Sequence, residues 1–596
     1  MPYKHTFHIP VMGIGFTIDT PLKVAPYGID SVMSIGDDIL IEKMRSMYCK
    51  LFNLPYALIS EKEEDYRAKR IKSYLNLLKN QIEGKFEEIQ NATFSKQEEL
   101  LKYLSLSPYL NTIGSDIEKM STDLQSFQRI KSWVKDKLKL GSIDVNIMTK
   151  LDKQNQNDGD VLPIEYNDAH AALRGFATSD LNASIVFSAG MNPKLFTYLT
   201  SFEDFYPDKN GYLKKRIILK VSDYRSAIIQ GKFFAKKGLW VSEFRIESGL
   251  NCGGHAFATD GYLLGPILQE FKDNKNMLTN ELFEIYKNAL VEKDILLNDE
   301  FNIKITAQGG VGTNAEHQFL IDHFEIDSVG WGSPFLLVPE VVAIDNNTLK
   351  QLAEAKEDDI YLSEISPLGV PFNNLRGNTR DTMKSEFVAK GRPGSACPKK
   401  FLSLNTEFTK EPICTASRQY QHLKIKQLKE RELSDYSLDR AISAVTEKSC
   451  ICVGLGVSAL LVNGIETKVE GEGVSVCPGP NLAYFDKVVS FKQMASHIYG
   501  RSNIMTNLNR PNMFIKELEL YITYFKNKAE LLKDHSTVKE VNQLLKCFEN
   551  IENGIQYYFE MFTHFYKNNL ELEFVLDKLK SYRSALNSIE LSKSFA

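Results

Sequence analysis

Two glycine-rich stretches of the sequence have the composition of anion-binding loops. Residues 308–313 read QGGVGT, and residues 330–334 read GWGSP. Glycines leave backbone N–H groups accessible to a phosphate, because no Cβ shields them. Tight turns at strand ends would use the same residues, but two such stretches in succession favour a ligand that carries a phosphate.

A histidine follows a further glycine pair. Residues 247–257 read ESGLNCGGHAF, which places His255 directly after Gly253 and Gly254. A histidine with an ordinary pKa of about 6.5 can transfer protons at neutral pH. A hydrogen-bonded structural histidine is the commoner role, but the glycine pair puts backbone beside this one. His255 is therefore the candidate catalytic residue, and Cys252 is interpreted as a small buried thiol.

The cysteines are clustered, since five of the eight lie between positions 397 and 477. Four thiolates can hold a zinc ion or an iron–sulfur cluster, and cysteine followed by proline is common at iron–sulfur sites. The sequence has no C-x₂-C pair, so separate buried cysteines are an equally good interpretation. The candidate metal ligands are Cys414, Cys450, Cys452 and Cys477, with Cys397 as the spare.

These residues need a scaffold that brings their loops together, and the strand pattern predicts one. Alternating strands and helices predict a parallel sheet, and eight such units predict an α/β fold of the (β/α)₈ TIM-barrel type. In such a barrel, sites lie at the C-terminal strand ends, and the loops after strands seven and eight form the usual phosphate site. The eight candidate strands cover residues 7–12, 31–35, 143–148, 183–188, 216–221, 240–245, 302–307 and 327–330.

Three further regions accompany the predicted barrel. Apolar residues recur at helical spacing in residues 66–88, 514–532 and 538–568. The predicted domains are the TIM barrel in 1–59 and 139–345, a helical insertion in 60–138, a cysteine-containing segment that caps the barrel in 346–499, and a C-terminal helical region in 500–596.

The order of these motifs resembles the nitronate monooxygenase (2-nitropropane dioxygenase-like) family. That family includes FMN-dependent enoyl-ACP reductases and reductase subunits of polyunsaturated fatty acid synthases. The resemblance rests on Gly-Gly-His, Gly-Gly and Gly-x-Gly-Ser motifs after successive strands, and on HIPVMG at 8–13 and VNIM at 145–148. The chain departs from the family pattern at Trp331 and at SPF in 333–335, where the family has a small residue and Thr-Arg-Phe.

The resemblance implies FMN at the barrel mouth, with His255 as the catalytic or substrate-orienting base. The phosphate would lie against the two glycine-rich loops, and the ring and ribityl chain against the first and third strands. Lys220 ends the fifth predicted strand, where a salt-bridged structural lysine is at least as good an interpretation. The implied cofactor-binding residues are Met12, Gly13, Asn146, Lys220, Gly253, Gly254, Gln308, Gly309, Gly310, Gly332 and Ser333.

Three functions follow as expectations. The leading one is an FMN-dependent oxidoreductase that oxidises a small nitronate-like substrate. The first alternative is an NAD(P)H-dependent enoyl-thioester reductase that works with an acyl carrier protein and has an iron–sulfur cluster. The second alternative is a non-catalytic barrel scaffold that binds a partner protein. Both enzymatic schemes need His255, so the sequence does not choose between them.

Composition narrows the classes of partner. The 596 residues are 43% hydrophobic and 25% charged with a formal net charge of -4, as in ordinary soluble proteins. A near-neutral charge provides no bulk attraction to nucleic acid or to an anionic membrane. The opening MPYKHTFHIPVMGIG is too polar for a signal peptide. We therefore expect a cytoplasmic protein with reduced thiols, no nucleic-acid or membrane partner, and a homo-oligomer as an open alternative.

Overall fold

Eight parallel strands close into a barrel in the computed structural model of the chain. The structure describes residues 4–108, 116–157, 160–188, 190–251, 260–297, 300–505, 507, 510–532, 537–565 and 569–589. Each strand pairs with its neighbours in the sequence, and the first pairs with the eighth. The strands are β1 (Phe7–Ile9), β2 (Asp30–Ser34), β3 (Ile143–Ile147), β4 (Ala183–Phe187), β5 (Lys215–Val221), β6 (Val241–Glu247), β7 (Lys304–Gln308) and β8 (Ser328–Gly330).

This topology confirms the predicted (β/α)₈ barrel. All eight candidate runs contain a barrel strand, although several bounds shift by a few residues. The first strand ends at Ile9 instead of residue 12, because Pro10 has no N–H to continue a strand ladder. The sixth runs on to Glu247, which places that carboxylate at the end of the strand.

Helices surround the barrel and join its strands. Those that follow strands are α1 (Thr20–Val24), α2 (Asp38–Leu51), α6 (Asp168–Ala177), α7 (Pro193–Tyr198), α8 (Tyr224–Ala235), α9 (Leu264–Val291), α10 (Asn314–Phe324) and α11 (Asn346–Glu354). Three more, α3 (Tyr66–Gln90), α4 (Glu98–Leu106) and α5 (Leu124–Val134), occupy the stretch interpreted as a helical insertion. Gly175 of α6 lets α3 approach closely, since an added Cβ would lie 2.8 Å from the Ala68 carbonyl oxygen.

The second half of the chain adds a hairpin and further helices. The hairpin is formed by β9 (Ile360–Ser363) and β10 (Phe372–Leu375). The helices are α12 (Thr379–Ala389), α13 (Arg418–Lys429), α14 (Asp435–Glu447), α15 (Ile451–Val462), α16 (Phe491–Ile498), α17 (Met513–Leu532), α18 (Val538–Phe565) and α19 (Asn569–Asn587). The apolar residues of α15, α16, α17, α18 and α19 join the same continuous core as the barrel strands.

Helix α15 lies directly on the loop that follows β1. The Gly15 N–H donates to the Leu455 carbonyl oxygen at 2.9 Å, and an added Cβ on Gly15 would lie 2.9 Å from the Gly456 Cα. In the described part of the chain, no single helix has the length and apolar composition of a membrane span, and only α14 and α15 together, bent by 41°, meet that test.

Candidate active site at the barrel mouth

A buried polar network lies at the C-terminal ends of β5, β6 and β7. One carboxylate oxygen of Glu247 accepts hydrogen bonds from Gln308 Nε2 at 2.6 Å and from Asn251 Nδ2 at 2.7 Å. The Lys220 ammonium donates to the same oxygen at 3.2 Å. The structure thus brings together Lys220 and Gln308, which were predicted, with Glu247 and Asn251, to which the sequence assigned no role.

Asn146, on β3, has an unmet hydrogen-bonding capacity. It pairs in register with Ser34 on β2 and Val186 on β4, and Val186 belongs to the small apolar cluster on the inner face of the barrel. Asn146 is 5% exposed, and its Oδ1 has no hydrogen-bond partner among the described residues. A buried acceptor without a partner is destabilising, so this oxygen has a free hydrogen-bonding capacity within the described part of the barrel.

Gln308 presents a second amide oxygen without a well-formed hydrogen bond. This oxygen faces His8 of β1, whose Nδ1 lies 3.0 Å from the Ser328 hydroxyl. Burial, with the nearby Arg245 charge, holds the pKa of His8 well below its ordinary value, while the Gln308 side chain opposes that shift. His8 is therefore neutral at physiological pH.

The loop after β7 has the backbone conformation that its glycines predicted. Gly309 and Gly310 have φ values of 106° and 84°, a region that favours glycine. Side chains there would also clash, since a Cβ on Gly309 would lie 2.8 Å from the Asn251 nitrogen and one on Gly310 2.7 Å from Leu250 Cδ1. The loop is therefore fixed closely against the end of β6.

The start of helix α10 is capped by a carboxylate from its own first turn. Glu316 accepts the Gly312 N–H at 2.9 Å, and its other oxygen pairs with Arg510 at 2.7 Å. Arg510 also donates to the Gly310 carbonyl oxygen at 2.6 Å. An anion at this mouth would therefore meet the backbone around Gly309 and Gly310, since Glu316 occupies the Gly312 N–H.

The loop after β8 is covered by a later segment, residues 477–481. The Ser333 hydroxyl accepts the Gly479 N–H at 2.9 Å, which leaves its own proton available to a ligand. Gly332 precedes it, with φ -103° and ψ -83°. Trp331, where the chain departs from the family pattern, is fully buried and donates its indole N–H to His317 Nδ1 at 3.1 Å.

Met12 and Gly13 lie under helix α15. The Met12 N–H donates to the Thr17 hydroxyl at 3.2 Å. Gly13 has a φ of 63°, and an added Cβ would lie 3.2 Å from Leu455 Cδ2. Their predicted place beside a flavin remains a prediction.

His255, the predicted base, lies outside the described residues, as do Cys252, Gly253 and Gly254 beside it. The residues on both sides of 252–259 are described, and Glu517 of α17 binds one group on each side. Its carboxylate accepts the Ser248 hydroxyl at 2.7 Å and the Leu264 N–H at 2.8 Å. Burial raises the pKa of Glu517. The sequence did not reveal this contact, because Glu517 is remote in the chain and belongs to an ordinary amphipathic pattern.

The structure gathers four cysteines of the second half. Cys397 lies within hydrogen-bonding reach of Cys414 and Cys450, and Cys450 within reach of Cys452. The hydrogen bond from Cys414, with that from Cys450, lowers the pKa of Cys397 to about 3, and the same contact raises that of Cys414. The group includes Cys397, the predicted spare, whereas Cys477 belongs to the segment over the β8 loop. Among the described residues no three such side chains are arranged to hold a metal ion, so the structure does not show the predicted metal site.

The chain is similar in structure to solved proteins, two of which are described here. The enoyl reductase domain of MlnA, from the macrolactin biosynthesis cluster of Bacillus amyloliquefaciens, covers 63% of this chain and 84% of its own, at 15% identity and a TM-score of 0.32. A FabK mutant from Thermotoga maritima covers 67% of this chain and 84% of its own, at 12% identity and a TM-score of 0.29. No protein-family model matches the chain, and no curated protein matches it significantly. The fold is therefore established by the chain's own strand order.

Proposed function

We propose that the barrel mouth binds FMN and that the chain is an FMN-dependent oxidoreductase. The observation that carries this proposal is the buried Asn146 Oδ1 at the end of β3, which has no hydrogen-bond partner in the described part of the chain. The isoalloxazine ring has an N–H group that such an acceptor can bind. The motif order of the sequence, which resembles the nitronate monooxygenase family, supports the same cofactor.

The residues around the mouth fit the parts of this cofactor. Asn146 and Gln308 offer amide groups to the ring, and Gly309 and Gly310 offer a backbone that no Cβ shields. Ser333 keeps a hydroxyl proton for the phosphate, because its oxygen accepts the Gly479 N–H. When bound, FMN supplies the electron-transfer chemistry that amino-acid side chains lack.

The chain's own groups would bind and orient the substrate. The Lys220 ammonium lies 3.2 Å from Glu247, and this pairing directs a positive charge toward the strand ends, where it can bind an anionic or carbonyl oxygen. His255 is the proposed proton donor or acceptor, because the Gly-Gly-His motif resembles that of the nitronate monooxygenase family. The reaction proposed is electron transfer involving a small substrate at this mouth.

Two substrate classes are proposed, and they differ in the source of electrons. A nitronate itself is oxidised, whereas an enoyl thioester is reduced with electrons from NAD(P)H. The experiment is to purify the full chain, supply FMN, and follow the visible flavin absorption under anaerobic conditions. Bleaching by NADPH would identify the reductase, and bleaching by a nitronate alone would identify the oxidase. A protein that takes up no FMN would overturn the proposal and favour a non-catalytic barrel scaffold.

A further inference from the structure

Three consecutive carbonyl oxygens of the loop after β7 accept hydrogen bonds from side chains in the second half of the chain. The donors lie at three separate places along that half. The three pairs are Arg510 Nη2 with the Gly310 oxygen at 2.6 Å, Asn481 Nδ2 with the Val311 oxygen at 2.8 Å, and His497 Nε2 with the Gly312 oxygen at 2.9 Å. The second half therefore fixes the direction of each peptide group in a loop that belongs to the barrel.

The N–H groups of this loop point away from these side chains. No peptide bond of the described chain is cis, and in a trans peptide the N–H points opposite to the carbonyl before it. The N–H groups of Val311 and Thr313 thus face away from Arg510 and His497. Neither of them donates to another residue in the described part of the chain. Both are therefore available as donors to a phosphate.

Arg510 is at the centre of this contact, and its charge is already paired. Its Nη1 donates to Glu316 Oε1 at 2.7 Å, and its Nε donates to Asn481 Oδ1 at 2.6 Å. The Arg510 side chain is 5% exposed. Because a planar guanidinium can reach several acceptors at once, it joins the loop after β7 to residues 477–481 and to the start of α10. A paired cation on the carbonyl side attracts no anion itself, so its role is to hold the shape of the loop.

Gly312 is the third glycine of the sequence QGGVGT, and Arg510 accounts for it. Gly309 and Gly310 have left-handed φ values, whereas Gly312 does not, so its backbone conformation would accept a side chain. The space around it would not, since an added Cβ would lie 2.8 Å from both Cζ and Nε of Arg510. The loop sequence therefore leaves room for an arginine that lies about two hundred residues further along the chain.

We infer that Arg510 is a positioning residue for the phosphate of the proposed flavin. It holds the carbonyl side of loop 310–312, which keeps the N–H groups of Val311 and Thr313 available before the ligand arrives and lowers the cost of ordering them. This inference rests on the proposed function, since it takes FMN as the ligand of the mouth. It gives the C-terminal region a part in the choice of cofactor, because riboflavin has the same ring as FMN and no phosphate.

The test compares the affinities of FMN and riboflavin for the flavin-free full chain by fluorescence titration. The matched control for Arg510→Ala is Arg501→Ala. Arg501 also donates to backbone carbonyl oxygens, those of Ser107 at 2.8 Å and Ser105 at 3.2 Å, but at the end of α4. We expect Arg510→Ala to weaken FMN binding about 10-fold and to leave riboflavin binding unchanged. Arg501→Ala should change neither affinity.

A measurement on the wild type decides the case in which Arg510→Ala does not fold. The Met513 N–H donates to the same Glu316 oxygen as Arg510, at 2.7 Å, so its hydrogen exchange reports on this contact. FMN should slow the exchange of the peptides that contain Val311 and Met513, and riboflavin should not.

Three results would overturn the inference while leaving the flavin site in place. They are a wild type that binds FMN no more tightly than riboflavin, a folded Arg510→Ala variant that keeps the wild-type preference for FMN, and FMN binding that leaves the exchange at Met513 unchanged. A wild type that binds neither flavin overturns the proposed function, and the inference with it.

Discussion

Glu517 shows how one remote side chain can position two described stretches that are separated along the chain. It accepts hydrogen bonds from Ser248 and Gly249 before the segment and from Leu264 after it. The Tyr558 hydroxyl lies 3.4 Å from the same carboxylate. Every one of these partners is a donor, so two carboxylate oxygens are needed to satisfy them.

Replacing Glu517 by Gln should therefore destabilise the protein. The amide NH₂ would face N–H or O–H groups, and each donor left unsatisfied would lower the free energy of unfolding by about 1–3 kcal/mol. Urea unfolding measures the effect. The matched control is Glu519→Gln, two residues along the same helix, where the carboxylate pairs with Lys516 and is 42% exposed. Equal stability of the two variants would contradict the positioning role of Glu517.

Some residues of the candidate site were predictable from the sequence, and others were not. Lys220 and Gln308 were identified at predicted strand ends, and Asn146 through the family resemblance. The structure places all three at C-terminal ends of barrel strands. Glu247 was assigned to a loop and given no role, since the sixth strand was predicted to stop two residues earlier. Its role as the common acceptor depends on side-chain directions that the sequence does not encode locally.

At the scale of elements, the barrel seam between β1 and β8 depends on a neutral histidine. His317 of α10 accepts the Trp331 N–H through Nδ1, and its Nε2 lies 2.9 Å from the Thr6 hydroxyl. Burial lowers the pKa of His317 to about 4. The ring thus joins one helix to both strands of the seam, in a form that protonation would disrupt.

Acid should weaken this seam. The folded-state pKa of His317 lies below its unfolded value of about 6.5, so its contribution is complete above pH 6.5 and is lost as the pH falls toward 4. The loss amounts to about 3 kcal/mol. We expect urea unfolding of His317→Gln to depend less on pH than that of the wild type across this window, with exposed His422→Gln as the control. If the stability of His317→Gln depends on pH as steeply as that of the wild type, His317 is not the group whose protonation weakens the seam.

Element types were largely predictable, and their contacts were not. The periodic stretches 66–88 and 514–532 were predicted as helices, and the structure has helices at Tyr66–Gln90 and Met513–Leu532. They were predictable because amphipathic spacing is a local signal. The approach of α15 to Gly15 was not foreseen, since its run of apolar residues fits burial against any partner. Strand bounds moved where local chemistry intervened, as at Pro10.

At the scale of the whole molecule, the second half of the chain covers the mouth that the first half builds. Residues 477–481 contact the loop after β8, Arg510 contacts the loop after β7, and α15 covers the loop after β1. The sequence analysis predicted that the segment 346–499 caps the barrel, but the particular contacts join residues more than 140 positions apart. Access to the proposed flavin site is therefore shaped by these additions.

The most direct test of the flavin site is a titration of FMN into flavin-free protein, comparing the wild type with Asn146→Ala. A matched control is Asn167→Ala, because Asn167 Oδ1 is also buried without a partner but lies outside the barrel's inner face, at the start of α6. Loss of one ligand hydrogen bond should weaken FMN binding by about 5- to 30-fold in Asn146→Ala, with Asn167→Ala unchanged. A wild type that binds no FMN, or equal affinities in the two variants, would contradict the account.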